Sequence, residues 1–500
     1  HVHLPLWAFT GLYFLWQSFS WVRSMRYQML IYPSLALIAG WGLIQLWSAR
    51  EKIQLGFICL KPKIIRWVGV GLTVMIVLST AVWAFAFSQI YTRPHTRVAA
   101  SRWIYQNIPG ALTLVMLTDA GDFRQPLPYR AGDSLVPDDP YQIPMISVTD
   151  GSLTQITLPY ILDQSQSIDL KIIELRFFAI DAPDQTLGTA RIESQFLPSE
   201  NDWRGTAYDF IFEEPVPVFK GDRYFFELNL IQGQAGLLLN GSPTMSLFTT
   251  EGVPLRSPLP RFQQSVTPRV DYSMNVQLVE SGTITSVEIP YLANTSWIMG
   301  EQELAVELTP ADQPELANGA VIQGDFTPKE DLRGHTAVFE MSEPLEVDAG
   351  QTLTVRLYTP TEGARLVPQA LAPVHESSWD DAVPYPVDGF SPYSDTGGIY
   401  RGDLNFEMYW ADDAQKLERF ETNLDLADII FITSSRQWGT TTRVPERYPL
   451  TTAYYRHLLG CPAEREIEWS YNVAQPGTFE GDLGFDLIQV FQSNPNLGPF

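Results

Sequence analysis

Two arginines, Arg23 and Arg26, followed at once by Tyr27, stand at the mouth of a long apolar run. A guanidinium on a flexible stem can snorkel there: the stem stays in apolar surroundings and the cation reaches the lipid headgroups. Tyr27 and Tyr32 at the start of the run, and Trp41 and Trp47 toward its end, sit where interfacial aromatic anchors are expected. The other candidate residues each have a plain structural alternative. Ser434-Ser435-Arg436 closes an expected strand; that is a common place for an α/β site, and equally for a capping serine and a surface arginine. Asp403, Asn405 and Glu407 alternate on one face of a possible strand, which suits calcium or a solvated polar face. The six histidines are scattered, so no metal site is expected. There is no glycine-rich phosphate loop and no G-x-S-x-G turn. Residue pattern alone therefore gives no catalytic residue and no cofactor.

These residues need elements to hold them. Three apolar runs, about 4–22, 28–47 and 67–90, are read as transmembrane helices within residues 1–90, each near the 20 residues that cross a bilayer. Pro33 lies inside the second, where a kink is expected. The segment between the second and third runs carries Arg50, Lys52, Lys61, Lys63 and Arg66. The positive-inside rule places it in the cytoplasm, so residues 91–500 are expected to be extracytoplasmic and Arg23 and Arg26 to face the same outer side. Residues 1–90 hold seven basic side chains and one acid, Glu51, whereas the whole chain has a net charge of −24. The remainder is therefore strongly acidic, which argues against nucleic acid as a partner. Cys59 and Cys461 fall on opposite sides of the membrane by this topology, so no intrachain disulfide is expected. The chain starts at His1 without a signal sequence, and is read as the C-terminal part of a longer protein.

Beyond the apolar runs, 97–108 has helical spacing and stops at Pro109-Gly110, and 112–117 reads as a buried strand. Both are assigned to the first part, 92–125, of an α/β domain. The prolines from Pro126 to Pro144 read as a linker. From 142 to 369 short alternating runs indicate strands, and a repeat is visible. Gly151-Ser-Leu-Thr-Gln-Ile-Thr-Leu-Pro-Tyr-Ile161 matches Gly282-Thr-Ile-Thr-Ser-Val-Glu-Ile-Pro-Tyr-Leu292, and Trp203-Arg-Gly205 matches Leu332-Arg-Gly334. Two antiparallel β-sandwich modules are expected, at 142–262 and 270–369. The change from Trp203 to Leu332 favours a core or edge role over a shared sugar-stacking platform. Residues 374–500 alternate helix (412–423, 451–459) and strand (427–433, 485–491) as the second part of the α/β domain. The expected fold is thus a multi-domain membrane protein: three transmembrane α-helices, then an extracytoplasmic α/β domain interrupted by two β-sandwich modules.

Several stretches together resemble a known family. Arg23-x-x-Arg26-Tyr27 leading into Tyr32-Pro33 and Ala39-Gly40-Trp41 is similar to the late membrane helices of polyprenyl-phosphate-sugar-dependent glycosyltransferases of the GT-C fold. These include bacterial relatives of the protein mannosyltransferases (family 39-like membrane glycosyltransferases). Arg97–Pro109, Ser378–Pro384, Ala427–Arg436, Arg443–Tyr455 and Leu483–Phe485 resemble the soluble tail of large bacterial members. The likeness covers about 1–125 and 374–500; the β repeats depart from the plainer members. It implies an integral-membrane hexosyltransferase that moves a sugar from a polyprenyl-phosphate carrier to a glycan or protein acceptor at the outer face of the bacterial plasma membrane. It also implies that Arg23, Arg26 and Tyr27 hold the lipid-linked phosphate, for which a guanidinium offers a planar fork of donors. In such enzymes the catalytic acid lies in the first outer loop, which would precede His1. The alternative expectation is a membrane-anchored extracytoplasmic protein whose β modules bind carbohydrate without catalysis.

Overall fold

Pro33 lacks a backbone N–H, and it falls in the first turn of a helix, where that donor has no partner in any case. In the second apolar run Gln28 is helical, a 3-10 turn follows at Met29–Ile31, and an α-helix runs from Tyr32 to Trp47. This appears in the computed structural model of the chain, which describes residues 4–19, 28–48, 53–55, 58–60, 62–92, 95–165, 167–198, 202, 204–233, 236–329, 331–377, 383–392, 397–402, 404–433, 435–461, 467, 476–477 and 481–491. Residues 1–95 form one compact unit and residues 96–500 another.

In the first unit, α1 (Leu4–Ser18) has 15 residues, α2 (Tyr32–Trp47) has 16, and α3 (Pro62–Ser88) has 27. Trp7 of α1 meets Trp41 of α2 edge to face, their ring centres 6.1 Å apart. A bilayer core needs about 20 helical residues at 1.5 Å each. Among the described residues one helix, Lys63–Ser88, is long and apolar enough to cross a membrane. This corrects the expectation of three transmembrane helices. α1 ends at Ser18, and the proline-started α2 is too short. The chain is also about 40% strand, arranged in several sheets, with seven α-helices described in all.

In the second unit, α4 (Thr96–Asn107) leads into two β-sandwiches. The first pairs a sheet ordered Thr186–Ser194, Lys171–Ala179, Arg223–Gln232, Tyr141–Ile146 with one built on the long strand Gly151–Asp163. That strand carries Thr206–Val218 on one side, and Leu237–Asn240 and Thr244–Thr249 on the other. The second sandwich repeats this plan. Its four-stranded sheet is Tyr272–Gln277, Thr352–Tyr358, Gln302–Pro310, Asn318–Gly324. Its long strand Gly282–Asn294 carries His335–Val347 on one side, and Leu366–Gln369 and Leu112–Thr118 on the other. Alternating burial along Lys171–Ala179 and Thr352–Tyr358 shows the period of two that puts every second side chain into the core.

Strand Leu112–Thr118, with its hairpin partner Gly121–Leu127, therefore belongs to the second sandwich and not to the α/β domain at 92–125. The physical reason lies in where its apolar face goes. Leu112, Leu114, Met116 and Leu127 share one core with Val287, Leu304, Phe339 and Leu357. The hairpin Thr244–Thr249 with Pro254–Pro258 does the same job for the first sandwich, where Met245, Leu247 and Leu259 join the core of Ile156, Phe177 and Phe226. The two hairpins superimpose in register. Leu247 faces Leu153 as Met116 faces Ile284, and both pairings shift at the same point, next to Thr154 and Thr285. Thr154 Oγ1 donates to Ser246 O at 3.1 Å, and Thr285 Oγ1 to Val115 O at 3.3 Å. Each hairpin precedes one sandwich in sequence and completes the other in space, so the two repeats exchange hairpins. The expected module limits, 142–262 and 270–369, leave the second sandwich without this hairpin. The expected proline-rich linker is largely strand: Pro126 and Pro144 sit on the edge strands Gly121–Leu127 and Tyr141–Ile146, where a missing N–H costs no ladder bond.

The turns that lead into Thr206–Val218 and His335–Val347 need glycine. Gly205 (φ +113°) and Gly334 (φ +97°) are left-handed, and a Cβ at either would lie within 2.3 Å of a carbonyl oxygen, that of Ile161 or Leu292. In the remainder, Pro373–His375 and Ile429–Phe431 run parallel. Around them pack α4, α5 (Ala414–Leu426), α6 (Ser435–Thr441) and α7 (Pro449–Leu459). Asp413 caps α5 by accepting from Lys416 N, and Gly460 closes α7 in the left-handed conformation. The final strand expected at 485–491 is not formed; 481–491 has no regular structure.

Candidate functional site

Arg23, Arg26 and Tyr27 lie outside the described residues, as do Trp203, Asp403 and Ser434. Ser435 opens α6 just beyond strand Ile429–Phe431; the side chains of Ser435 and Arg436 are likewise outside the description. Asn405 and Glu407 are not on a strand face: Asn405 forms a single bridge beside His375, and Glu407 is left-handed and buried. Among the described residues no group of three or more His, Cys, Asp or Glu side chains could hold a metal ion. Cys461 is a free, buried thiol.

The exchange of hairpins creates a site that sequence reading missed. After each hairpin the chain must cross to the other sandwich, and the two crossing segments, 128–135 and 260–266, run against each other. Gly132 N donates to Phe262 O at 3.0 Å, Ala131 bridges Gln263, and Tyr129 Oη donates to Gln264 O at 2.8 Å. Beside this crossing lies a cavity of about 310 Å³ lined by residues of 130–139 and 264–270 and by Gln164, Leu238, Asn240 and Arg365. Arg365 is 3% exposed. Its Nη1 donates to Ser265 Oγ at 2.6 Å and Asp133 Oδ2 at 3.3 Å. Its Nη2 donates to Pro140 O at 3.3 Å and meets Asp139 Oδ1 at 3.0 Å, and the guanidinium lies over the Tyr141 ring. Asp133 also accepts from Ser265 N and Oγ and from Ser134 N. Burial pushes the Asp133 carboxyl up to about 6, against the pull of Arg365 and of its hydrogen bonds to Ser265 and Ser134. Buried charges survive when paired and bonded in this way. Gln264 carries a buried side-chain oxygen with no donor among the described residues. The signal that could have found the crossing is a second repeat: Arg124-Gln-Pro-Leu-Pro128 matches Arg256-Ser-Pro-Leu-Pro260, one residue beyond the offset that takes Gly151 to Gly282.

A second polar cluster sits under the parallel strand pair. Tyr455 Oη donates to Glu376 Oε1, and both residues are almost fully buried. Burial pulls His375 down to about 4, so its ring is neutral at ordinary pH. Lys416 is buried, and its Nζ donates to Met408 O, Trp410 O, Asp412 Oδ1 and Thr451 Oγ1, all within 3.1 Å. Burial lowers its proton affinity, against the pull of Asp412. This network ties α5 to α7 and to the loop before α5, and that is a positioning role.

No family model and no curated protein matches the chain. Among solved structures, an anti-sigma factor domain-containing protein is similar at 12% identity and a TM-score of 0.14, over 51% of this chain and 92% of that one. An anti-sigma factor domain-containing protein from Clostridium clariflavum aligns at 9% identity and a TM-score of 0.13, over 52% and 92%. A likeness at that level carries neither fold nor function to this chain.

Proposed function

We propose that this chain is part of a membrane-anchored glycosyltransferase that moves a sugar from a polyprenyl-phosphate carrier to a glycan or protein acceptor at the outer membrane face. The observation that supports it is where the family-like segments go. They are separated by two β-sandwiches in sequence, yet they pack together. From α4, Arg97 Nη1 donates to Tyr385 Oη at 2.9 Å and Tyr105 Oη to Tyr385 O at 2.6 Å; Tyr385 N donates to Ser101 Oγ. Ile104, Tyr105 and Ile108 share a core with Val383, Ile429 and Phe431. Ile430 on the same strand packs with Trp438, Tyr454, Tyr455, Leu483 and Phe485. These segments fold as one body across a long insertion, and their resemblance to that family is what supports the reading. α3 supplies a helix able to anchor that body to a membrane. On this reading Arg23, Arg26 and Tyr27 hold the donor phosphate, and no residue of this chain is assigned as the catalytic acid.

The test is transfer from radiolabelled polyprenyl-phosphate sugar in membranes holding the native full-length protein. Arg23→Lys and Arg26→Lys keep the charge and lose the bidentate fork. At sub-saturating donor each should lower transfer about ten-fold, the scale of one charged hydrogen bond. Unchanged transfer in both variants removes the phosphate role, and absence of transfer by the wild type removes the enzyme reading. Topology is checked on intact cells with Lys220→Cys, an exposed site, in a Cys59→Ser background. Labelling by an impermeant thiol reagent supports an outer location, and protection until lysis overturns it.

A further inference from the structure

One end of the first sandwich carries an apolar cluster that its fold does not require. Three turns meet there, 147–150, 219–222 and 249–253, and Asp150 ties them together. Its Oδ1 accepts from Lys220 N at 2.8 Å, and its backbone carbonyl from Thr250 N at 3.3 Å. Gly221 N donates to Ser147 O at 2.7 Å. Val148, Phe219, Phe248 and Val253 stand on these turns and the strand end beside them, each roughly half exposed. Covering such surface is favourable in proportion to its area. The second sandwich closes the same turns with less. Phe219 answers there to Asp348, and Val253, bonded to Thr249, answers to Gly121, opposite Thr118. Leu117 and Val279 keep the other two positions apolar. Two of the four side chains can therefore be charged or missing without loss of the turns, yet the first sandwich has all four.

The size and setting of the cluster say what covers it. A stable protein partner buries about 800 Å² on each side, some 20–30 residues. Four side chains on turns fall far short of that. A bilayer needs no matching surface, because apolar groups enter its headgroup and acyl boundary to a depth of about 5–10 Å. The chain also keeps a bilayer close through its own backbone, since α3 is able to cross one. A covalent link supplies a high effective concentration, so a weak docking site is enough. Headgroup charge is not the attraction: Lys220 is one cation among Asp150, Asp222 and Glu251. Its stem can lie along lipid while its ammonium stays among the headgroups, in contact with water.

We propose that Val148, Phe219, Phe248 and Val253 dock into the interfacial layer of a zwitterionic bilayer and hold this end of the first sandwich at the membrane surface. The inference does not depend on sugar transfer, because it rests on these turns and on α3 alone.

The experiment is quenching of a fluorophore by brominated acyl chains, on the full chain reconstituted into phosphatidylcholine vesicles. The label is placed on Thr250→Cys, between Phe248 and Val253, in a Cys59→Ser background; Cys461 is buried. Asp119→Cys, exposed at the matching place in the second sandwich's hairpin, is the control. Quenching is expected at 250 and not at 119. Phe219→Asp with Val253→Gly copies the second sandwich and should lower the docked-to-undocked ratio about ten-fold or more, the scale of one buried apolar side chain. Amide exchange at Leu153 and Leu247, both in the core beneath, reports that this variant is folded. No quenching at 250, equal quenching at 250 and 119, or quenching that survives in the folded double variant overturns the proposal. So does a label at 250 that shifts to the blue with rising protein concentration and is not quenched, which would assign these turns to a second copy of the chain.

Discussion

Asp163 in the first sandwich and Asn294 in the second stand at the same place, the end of the long strand. Asp163 Oδ1 accepts from Ser165 N at 2.9 Å and Ser165 Oγ at 2.7 Å. Asn294 Oδ1 accepts from Ser296 N at 3.0 Å and Ser296 Oγ at 2.7 Å. Their backbones also match, with Asp163 N donating to Phe196 O and Asn294 N to Phe326 O, both at 2.7 Å. The partners differ. Lys171 lies 2.5 Å from Asp163 Oδ2, and both are buried. At the matching positions the second sandwich has Gln302, and Gln302 Nε2 and Asn294 Nδ2 both donate to Ile298 O. The fold therefore fixes an acceptor at this corner but not its charge. A buried charge pair carries a desolvation cost that a neutral amide pair avoids, and neither is required by the turn itself.

The largest effect should come from breaking the charged version alone. Lys171→Gln leaves the Asp163 carboxylate buried without its cation, at a cost of about 3–5 kcal/mol. Gln302→Ala in the second sandwich removes only neutral hydrogen bonds, each worth about 0.5–1.5 kcal/mol. Because the chain has several cores, hydrogen exchange read strand by strand is the right measure. Loosening should be confined to Gly151–Asp163 and its neighbours in the first variant. Equal, small effects in both sandwiches would show that the charge pair is not distinctive.

The next effect tests the exchange. Leu114→Ala and Met245→Ala remove matching core side chains, each at a cost of about 2–5 kcal/mol. Leu114 precedes the first sandwich in sequence, yet its loss should loosen Gly282–Asn294 and spare Gly151–Asp163; Met245→Ala should do the reverse. Loosening of Gly151–Asp163 by Leu114→Ala, or of Gly282–Asn294 by Met245→Ala, would contradict the hairpin pairing. Excision of 142–369 should likewise strand the hairpin 112–127 with its apolar face uncovered.

The sandwiches and their core faces were legible because alternation and turn residues are local signals, and because Gly151–Ile161 and Gly282–Leu292 share their Gly, Thr, Pro and Tyr positions and their apolar spacing. The helices of 374–500 were legible for the same reason, since their periodicity is local; the caps at Asp413 and Gly460 emerged only in the structure. Three things were not. The length of α2 depended on whether Pro33 bends a helix or begins one, and proline chemistry allows both. The place of 112–127 depended on a partner far away in sequence, which alternation cannot specify. The cavity lay in a stretch dismissed for its prolines, although those prolines sit on edge strands. The ion cluster of Arg365, Asp133 and Asp139 has no second copy, since Gly236, Gln264 and Val270 fill the matching positions in the other half. Comparing the repeats could therefore not expose it.

A smaller effect concerns the Asp-x-Arg-Gly turns. Arg333 lies over Tyr291 and reaches Asp428 Oδ2 at 2.7 Å, while Tyr291 Oη donates to Asp428 Oδ1 at 2.5 Å. Asp428 in turn accepts from Ala372 N at 2.7 Å. This fastens the second sandwich to the parallel strands. Arg204 lies over Tyr160 in the same way, but its exposed pairing is with Asp202 in its own turn. Arg333→Ala should cost about 1.5–3 kcal/mol, the scale of a partly buried charged hydrogen bond, and should raise exchange at Ala372 and Ile429. Arg204→Ala should leave exchange in its own sandwich close to wild type, since exposed pairs contribute little. A comparable loss in both would mean that the turn, and not the docking contact, is what Arg333 supports.

The smallest effect is the sharpest test of the comparison. Asp163→Asn with Lys171→Gln rebuilds the first sandwich with the second's amide pair. Replacing both partners of a buried pair is often close to neutral, so at pH 7 stability should stay within about 1 kcal/mol of wild type. The difference should emerge in acid. Burial pushes the Asp163 carboxyl up, but hydrogen bonds from Lys171 and Ser165 outweigh it and hold the carboxyl below the usual range. A carboxyl depressed in the folded state contributes stability that is present above its unfolded value, about 3.9, and is lost as pH falls through the folded value. The wild type should therefore lose stability relative to the double variant below about pH 4, and the two should run parallel above about pH 5. Asp133, raised to about 6, has the opposite slope, losing its contribution as pH rises between about 4 and 6. It is present in both proteins and cancels in the difference. Exchange at Ile161 and Leu162, measured from pH 3 to pH 7, reads that difference. Curves that stay parallel down to pH 3 would show that the charge on Asp163 does no more for this corner than the amide of Asn294 does for its counterpart.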